Sequence, residues 1–255
     1  MILSKGMVME LSISQLEQFK VDGFLVLRQF ADHQLCDTIL DLAKVHLKYK
    51  IPPIETESEY VGEDKEVLRV TVRRLRQVYH RDIVFKTWME NKEIRPILEQ
   101  VLQDTPVLTL AHHNSIMTKM PHTSTETSWH QDIRYWNFEN DNLVSVWLAL
   151  DEEYDENGVL EFIPGSHKIQ FSTEQFEGKQ YFSCTPLENQ RLIEKKTSTV
   201  LQKGDVVLFH GRLLHRANKN STDKAKISFV YTVKGKKNRF IEGTRSSAYP
   251  EISLE

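Results

Sequence analysis

The chain has 255 residues, enough for one sizeable hydrophobic core, and we expect a single domain over residues 1–255. Its formal net charge is −3, with 27% charged and 40% hydrophobic residues, so it lacks the basic excess that nucleic-acid binding needs. No apolar run approaches the length of a membrane span, and the apolar stretch near residue 1 is too short for a signal peptide.

The sequence contains two cysteines, Cys36 and Cys184. Two cysteines do not make a disulfide framework, and the pattern is typical of proteins from a reducing compartment. We therefore expect a cytoplasmic protein. The net charge and the lack of a long apolar run further predict that neither a nucleic acid nor a membrane is a partner.

The first part of the chain, about residues 12–104, is predicted to be mainly helical. The capping-box pattern of Ser14 and Glu17 predicts a helix that ends near Gly23. An apolar run at 24–30 predicts a strand, and Asp32 is a candidate N-cap for a helix over 35–47.

Residues 51–65 contain two prolines and an acidic cluster without periodicity, so they are predicted to form a loop or a lid. Residues 83–103 have helical spacing, and Pro96 is expected to open a second helix there.

After Asp104 the pattern becomes that of a β-protein. The predicted strands are 107–120, 130–136, 143–150, 158–163, 197–201, 205–210 and 227–233, whereas 171–190 has too weak a pattern to assign. Many short strands preceded by helices indicate a mostly β protein with a helical outer layer. The expected core, about residues 105–235, is a double-stranded β-helix, that is, a cupin-like jelly roll.

The tripeptide His130-Gln131-Asp132 lies in one of these predicted strands. Residues i and i+2 of a strand point to the same face, so His130 and Asp132 can bind one metal ion together. A distant histidine, His215 or His210, would complete a 2-His-1-carboxylate triad with open coordination positions, which is typical of non-haem Fe(II) oxygenases. The competing interpretation is a chance arrangement of surface polar residues.

Four segments give this tripeptide a context. In chain order they are TSWHQDIRYW (127–136), LVSVWLALD (143–151), GVLEFIPGSHK (158–168) and KGDVVLFHGRLLHRANKNS (203–221). Together they resemble the phytanoyl-CoA dioxygenase family of Fe(II)/2-oxoglutarate oxygenases, and the resemblance runs from about residue 16 to about residue 233.

The resemblance implies a ligand set, two cofactors and a reaction. The metal ligands and catalytic residues would be His130, Asp132 and His215, because His215 is followed by the small and polar residues that follow the distal ligand in the family. The cofactors would be Fe(II) and the cosubstrate 2-oxoglutarate. A small-molecule substrate would react with O₂ and be hydroxylated, with succinate and CO₂ as co-products, and the presence of Asp132 favours hydroxylation over halogenation.

The 5-carboxylate of 2-oxoglutarate needs a buried cation. Family members usually provide an arginine about ten residues after the distal histidine, but this chain has Lys224 and Lys226 there. We prefer Lys224, and the alternative is that both lysines are solvated. Trp147 and Lys119 are further candidates for cosubstrate contacts, and Ala217 replaces a serine that contacts 2-oxoglutarate in relatives.

Three residues near the triad are candidates for substrate binding. By strand alternation Arg134 shares the face of His130 and Asp132, and Tyr135 and Trp136 follow it. The basic stretch at 73–76 is expected to be a solvated face, although an anionic substrate can use it.

Family membership leaves the reaction open in two respects. The same centre can perform desaturation, ring closure or epimerisation instead of hydroxylation. A catalytically silent jelly roll that binds a ligand or a protein is the alternative from another class. The missing arginine and serine make it plausible, whereas the intact His130, Asp132 and His215 argue against it.

Overall fold

The computed structural model describes residues 9–178 and 180–255. The helices are α1 Ile13–Asp22, α2 His33–Lys48, α3 Glu57–Val61, α4 Glu66–Val70, α5 Ile83–Met89, α6 Arg95–Leu102 and α7 Leu187–Ile193. The strands are β1 Phe24–Leu27, β2 Ile54–Thr56, β3 Val72–Arg76, β4 Pro106–Thr109, β5 Asn114–Lys119, β6 Thr127–His130, β7 Leu143–Ala149, β8 Leu160–Phe162, β9 Phe176–Glu177, β10 Tyr181–Phe182, β11 Thr197–Ser198, β12 Val206–His210, β13 His215–Ala217, β14 Lys226–Gly235 and β15 Glu251–Ser253. In this part of the chain no helix combines the length and the apolar composition needed to cross a bilayer.

The strands form two antiparallel sheets. The larger sheet has the order β1-β12-β7-β14-β5-β3-β2, with β4 beside β14 and β15 beside β4. The smaller sheet has the order β11-β8-β13-β6-β10-β9. Most strands that lie side by side are far apart in sequence, as expected for a jelly roll, whereas β2 with β3 and β9 with β10 are consecutive along the chain.

Alternation along β14 and its neighbours separates two cores. Phe229 and Tyr231 point to one face of the larger sheet, where they pack with the helices. Val230 points to the other face and packs with Trp147 of the same sheet and with Phe162 of the smaller sheet. The larger sheet is therefore covered by helices on one face and by the smaller sheet on the other, which confirms the predicted jelly roll with a helical outer layer.

The predicted start of α1 is wrong by two residues. Ser12, and not Ser14, is the N-cap: its hydroxyl accepts from the backbone N–H of Gln15 at 3.2 Å, and the Gln15 side chain accepts from the Ser12 N–H at 2.9 Å. Two overlapping capping patterns compete here, and the buried Leu11, bonded to Gln100 at 2.7 Å, favours the earlier one. The helix ends before Gly23 as expected, where φ is +83°.

The helices α2, α5 and α6 agree with the sequence-based prediction, whereas α3, α4 and α7 were not predicted. Asp32 caps α2, and Pro96 lies in the first turn of α6, both as predicted. The predicted loop at 51–65 is wrong, because it contains β2 and α3. The backbone of β2 pairs with β3, a partner that local sequence does not reveal.

Two predicted strands are interrupted. The stretch 107–120 turns between β4 and β5, and the stretch 130–136 leaves the sheet after His130 and forms a short 3-10 helix, Asp132–Tyr135. This 3-10 helix is held in place by a hydrogen bond from the Ile133 N–H to the Gly211 carbonyl at 2.9 Å. The remaining predicted strands exist with shifted bounds, whereas β13 is too short for periodicity to reveal, and the unassigned stretch 171–190 contains β9 and β10 and the start of α7.

Phe229 is expected to be one of the main stabilising residues of the helix-facing core. It is 0% exposed, and its ring lies 5.8 Å from that of Phe85. Phe229→Ala should lower the free energy of unfolding by about 3–5 kcal/mol, because it leaves a cavity. Urea denaturation measures the change, and Ile13→Ala, at a side chain that is 89% exposed, is the control expected to stay near wild type. A small effect at Phe229 would contradict the packing described here.

Buried histidines should make the fold sensitive to acid. His112 lies between Ser246, at 2.8 Å, and the rings of Trp136 and Phe138. Burial lowers its pKa to about 3, whereas an unfolded chain gives histidine a pKa of about 6.5. Between these values the unfolded chain binds a proton that the folded chain does not, so the free energy of unfolding should fall as pH decreases from 7 to 5.

Urea denaturation at several pH values measures this slope. His112→Phe should make the slope shallower, because one of the buried histidines is removed. An unchanged slope in this variant would show that His112 does not contribute.

Candidate active site

Three side chains converge where β6 and β13 lie side by side. His130 is the last residue of β6 and lies opposite His215, the first residue of β13, with the two rings 4.2 Å apart. Nε2 of each ring is 3.7 Å from Oδ1 of Asp132. One ligand atom from each residue lies within 4.8 Å of the other two, so the three side chains can hold one metal ion.

Backbone carbonyls orient both imidazoles. Nδ1 of His130 lies 2.8 Å from the carbonyl oxygen of Ser128, and Nδ1 of His215 lies 3.0 Å from that of Leu213. An Nδ1–H that donates to a carbonyl leaves Nε2 as an unprotonated ligand atom, which is the usual arrangement of a metal-binding histidine.

Two further residues hold the carboxylate of Asp132. His113 donates from Nε2 to Oδ1 at 3.0 Å, and the Ser145 hydroxyl donates to Oδ2 at 3.0 Å. Burial raises the pKa of Asp132, but the neighbouring imidazoles of His113 and His215 lower it more, so the net pKa lies below its usual range. The carboxylate is therefore held ionised, as a metal ligand must be.

Burial also keeps the two histidine ligands neutral. It lowers the pKa of His130 to about 3, with a smaller contribution from His215, and it lowers the pKa of His215. His210, the competing candidate for the distal ligand, lies away from this cluster, with its ring 5.4 Å from His167.

The local structure that positions the Asp132 side chain is not the one predicted from the sequence. Asp132 does not lie at i+2 of a strand, because the strand ends at His130 and Asp132 begins the 3-10 helix. The side chains still converge, since the turn brings Asp132 back toward the paired histidines.

Sequence reasoning missed His113 and Ser145. The only local signal for His113 is a pair of histidines in the turn after β4, and Ser145 is a polar residue in the otherwise apolar β7.

An inner cavity lies between the sheets beside the triad. His130 and His215 border it together with Lys119, Trp147 and Lys226. Nζ of Lys119 donates to the carbonyls of Thr125 at 2.6 Å and Ala217 at 3.4 Å. Among the described residues no carboxylate lies within 4 Å of it, and burial, aided by the charges of Arg73 and Lys226, lowers its pKa well below the usual value.

Lys226 and Lys224 have different surroundings. The Lys226 side chain is 3% exposed and pairs with Glu153 at 3.1 Å, whereas that of Lys224 is 75% exposed and pairs with Asp151. The strand β14 begins only at Lys226, so Lys224 lies in the preceding bend, outside the sheet. This placement corrects the preference for Lys224: Lys226 borders the inner cavity and Lys224 does not.

Glu153 is a third residue that the sequence did not single out. It is 1% exposed and accepts from Lys226, from Nε1 of Trp147 at 3.0 Å and from the Ser228 hydroxyl at 2.6 Å. Its position directly after the apolar strand β7, in a run of three acids, was the available signal.

An outer cavity lies on the other side of the triad. Tyr135 and Trp136 border it with His130 and Asp132, as expected from their position in the sequence. Arg134 is directed elsewhere: its guanidinium lies 3.2 Å from the ring centroid of Phe176 and its Nε donates to Gln131 at 3.3 Å. Strand alternation fails for Arg134 because residues 132–135 are helical.

The basic stretch 73–76 is not simply a solvated face. Arg73 is 3% exposed, pairs with Glu57 at 3.2 Å and donates to the Thr127 hydroxyl at 2.7 Å. It borders both cavities, and Arg74 borders the outer one.

Comparison with known proteins finds relatives that match most of this chain. The curated relative named phytanoyl-CoA dioxygenase domain-containing protein 1, from Bos taurus, is 22% identical over 265 residues, which is 87% of this chain and 89% of the relative. Among solved structures, EctD from S. alaskensis with bound Fe has a TM-score of 0.73 and 19% identity, covering 96% of this chain and 87% of that one. The epimerase SnoN in complex with Fe3+, alpha ketoglutarate and nogalamycin RO has a TM-score of 0.73 and 16% identity, covering 94% and 93%.

The model of the family described as phytanoyl-CoA dioxygenase (PhyH) matches residues 19–228. Since this match includes all three converging side chains and most of the chain, the protein belongs to the phytanoyl-CoA dioxygenase (PhyH) family.

Proposed function

We propose that this protein is an Fe(II)- and 2-oxoglutarate-dependent oxygenase that hydroxylates a small molecule and releases succinate and CO₂. The observation that carries the proposal is the convergence of His130, Asp132 and His215 between two cavities. One cavity is suited to the cosubstrate and the other to the substrate, so both can reach the same metal ion.

The donor set suits Fe(II). Two neutral imidazoles and one carboxylate on one side of the ion leave the opposite positions open. When bound there, Fe(II) would activate O₂ in the presence of 2-oxoglutarate. The chain's own contribution is orientation: Ser128 and Leu213 hold the imidazoles through their carbonyls, and His113 and Ser145 hold the carboxylate.

The charges around the inner cavity favour an anionic cosubstrate. Lys226 contributes a buried cation and Lys119 a buried amine whose protonated form a nearby anion would stabilise, whereas Glu153 is the only carboxylate within 4 Å of either in the described part of the chain. One more carboxylate would balance this group, and a buried unpaired cation is costly. The 5-carboxylate of 2-oxoglutarate, bound by Lys226 and Lys119 in place of the usual arginine, fulfils this requirement.

Epimerisation is the second candidate reaction. The similarity to SnoN, which is an epimerase, favours it. Hydroxylation adds one oxygen to the product and epimerisation leaves its mass unchanged, so mass spectrometry of the product distinguishes them. The buried, oriented metal ligands argue against the non-catalytic alternative.

The two free cysteines fit a reducing compartment, and we place the enzyme in the cytoplasm.

The metal ligands are testable by spectroscopy. Anaerobic addition of Fe(II) and then 2-oxoglutarate should produce the weak visible absorption band of the chelate in the wild type. His215→Ala should abolish it, because removal of one of three ligands leaves an incomplete site. His210→Ala, the matched control, should retain the band. A band that survives in His215→Ala but disappears in His210→Ala would reverse the assignment.

The cosubstrate cation is testable by titration of the same band. Lys226→Met should raise the 2-oxoglutarate concentration for half-maximal absorption by about tenfold or more, if the lost charge-assisted contact contributes about 1.5–3 kcal/mol. Lys224→Met, at an exposed lysine, should leave it unchanged.

The double variant Lys226→Met/Glu153→Gln removes the buried pair together and should show the same weakening. This variant separates loss of the contact from misfolding caused by an unpaired Glu153. Normal 2-oxoglutarate dependence in the double variant would exclude Lys226 as the cation.

A further inference from the structure

Arg245 reaches the outer cavity from a part of the chain beyond the family match, which ends at residue 228. Its neighbour Ser246 is 1% exposed and fixes this segment: the Ser246 hydroxyl bonds to Nε2 of His112 and accepts from the Asn137 N–H, each at 2.8 Å. The segment is therefore anchored beside Trp136, and Arg245 is held at the cavity and does not lie on a free tail.

Two of the three arginines that border the cavity, Arg73 and Arg74, are paired with acids. Glu55 pairs with Arg74 at 2.5 Å and lies 3.8 Å from Arg73. Glu57 is taken by Arg73, at 3.2 Å. In the described part of the chain no carboxylate lies within 4 Å of Arg245.

Arg76 does not border the cavity, but it is close enough to Arg245 for the two charges to interact, and among the described residues it also has no carboxylate within 4 Å. Burial, together with the charges of Arg74 and Arg76, lowers the pKa of Arg245, although Glu55 opposes this effect. Glu59 also borders the cavity, but its carboxylate accepts from the backbone N–H and the hydroxyl of Thr56. The cavity thus presents a guanidinium with unused donors.

Aromatic side chains form much of the wall of the outer cavity. Tyr60, Tyr135, Trp136 and Tyr181 border it, and the hydroxyls of Tyr181 and Tyr60 are 3.4 Å apart. Flat aromatic faces bind apolar or planar bodies, while a guanidinium fork binds a carboxylate through two parallel hydrogen bonds.

We propose that the substrate is an organic carboxylic acid, whose carboxylate is bound by Arg245 with Arg74 and whose apolar or planar body lies along the tyrosine and tryptophan wall. The inference rests on the proposed function, because it assigns the outer cavity to the substrate. Anchoring at one end places the body of the acid next to the metal ligands His130 and Asp132, which border the same cavity.

Matched pairs of acids and amides test this assignment by ligand-observed NMR. The protein is kept anaerobic with Fe(II) and saturating 2-oxoglutarate, and phenylacetate is compared with phenylacetamide and cyclohexanecarboxylate with its amide. Each acid should bind at least about tenfold more tightly than its amide, the ratio expected for a charge-assisted contact. Arg245→Gln should weaken the acids by a similar factor and leave the amides unchanged.

Arg69→Gln is the control. Arg69 lies on α4 and forms an exposed ion pair with Asp64, so this change removes one positive charge away from the cavity. It should leave the binding of the acids unchanged. Equal binding of acids and amides, no saturable binding of any acid at millimolar concentration, or wild-type affinity in Arg245→Gln would overturn the proposal.

The visible band of the chelate is recorded in the same samples. Its presence in Arg245→Gln shows that the metal and cosubstrate sites are intact. Its absence in the wild type would instead contradict the proposed function, so the two failures are distinguishable.

Discussion

The pairing of β6 with β13 is the contact on which the site depends. His130 and His215 are neighbours only because these two short antiparallel strands are in a register that places them opposite each other. A shift by one residue would turn one of the histidines to the other face of the sheet. The 3-10 helix that begins at Asp132 then brings the carboxylate to the two imidazoles, and hydrogen bonds to backbone carbonyls fix the rings. The 3-10 helix and these hydrogen bonds both fix the ligand side chains to rigid backbone, as a preorganised metal site requires.

The two faces of the larger sheet have different roles. One face packs against the helices with Phe229 and Tyr231, and this packing supplies the apolar burial that holds the sheet. The opposite face presents Ser145, Trp147 and Lys226 toward the smaller sheet. Polar groups can be buried there because each finds a partner: Ser145 bonds to Asp132, and both Trp147 and Lys226 bond to Glu153. The apolar core thus supports a polar interior next to the candidate metal centre.

Lys226, which borders the inner cavity and pairs with Glu153, stands in place of the usual arginine, and this difference has a physical consequence. An arginine would present a fixed fork to a carboxylate, whereas Lys226 acts as a point charge whose direction must be set by its surroundings. Glu153 and the ring of Trp147 set it, with the ammonium 5.0 Å from the ring centroid. A cosubstrate anion would therefore join a charge cluster in which Glu153 already competes for Lys226, and its negative charge would favour the protonated form of Lys119.

The amino-acid sequence by itself determined the class of fold, the order of most elements and the three residues that can bind metal. These are local or motif-bound properties: periodicity marks strands and helices, and the tripeptide with the distal histidine lies in segments typical of the family. The sequence did not determine that residues 51–65 supply a strand, that Arg134 turns away or that Lys226 and not Lys224 borders the cavity. It also did not reveal that His113 contacts Asp132, that Arg245 borders the outer cavity or that Glu153 pairs with Lys226. Only the tertiary structure decided these points, because strand ends, register and the pairing of buried charges depend on partners that are distant in sequence.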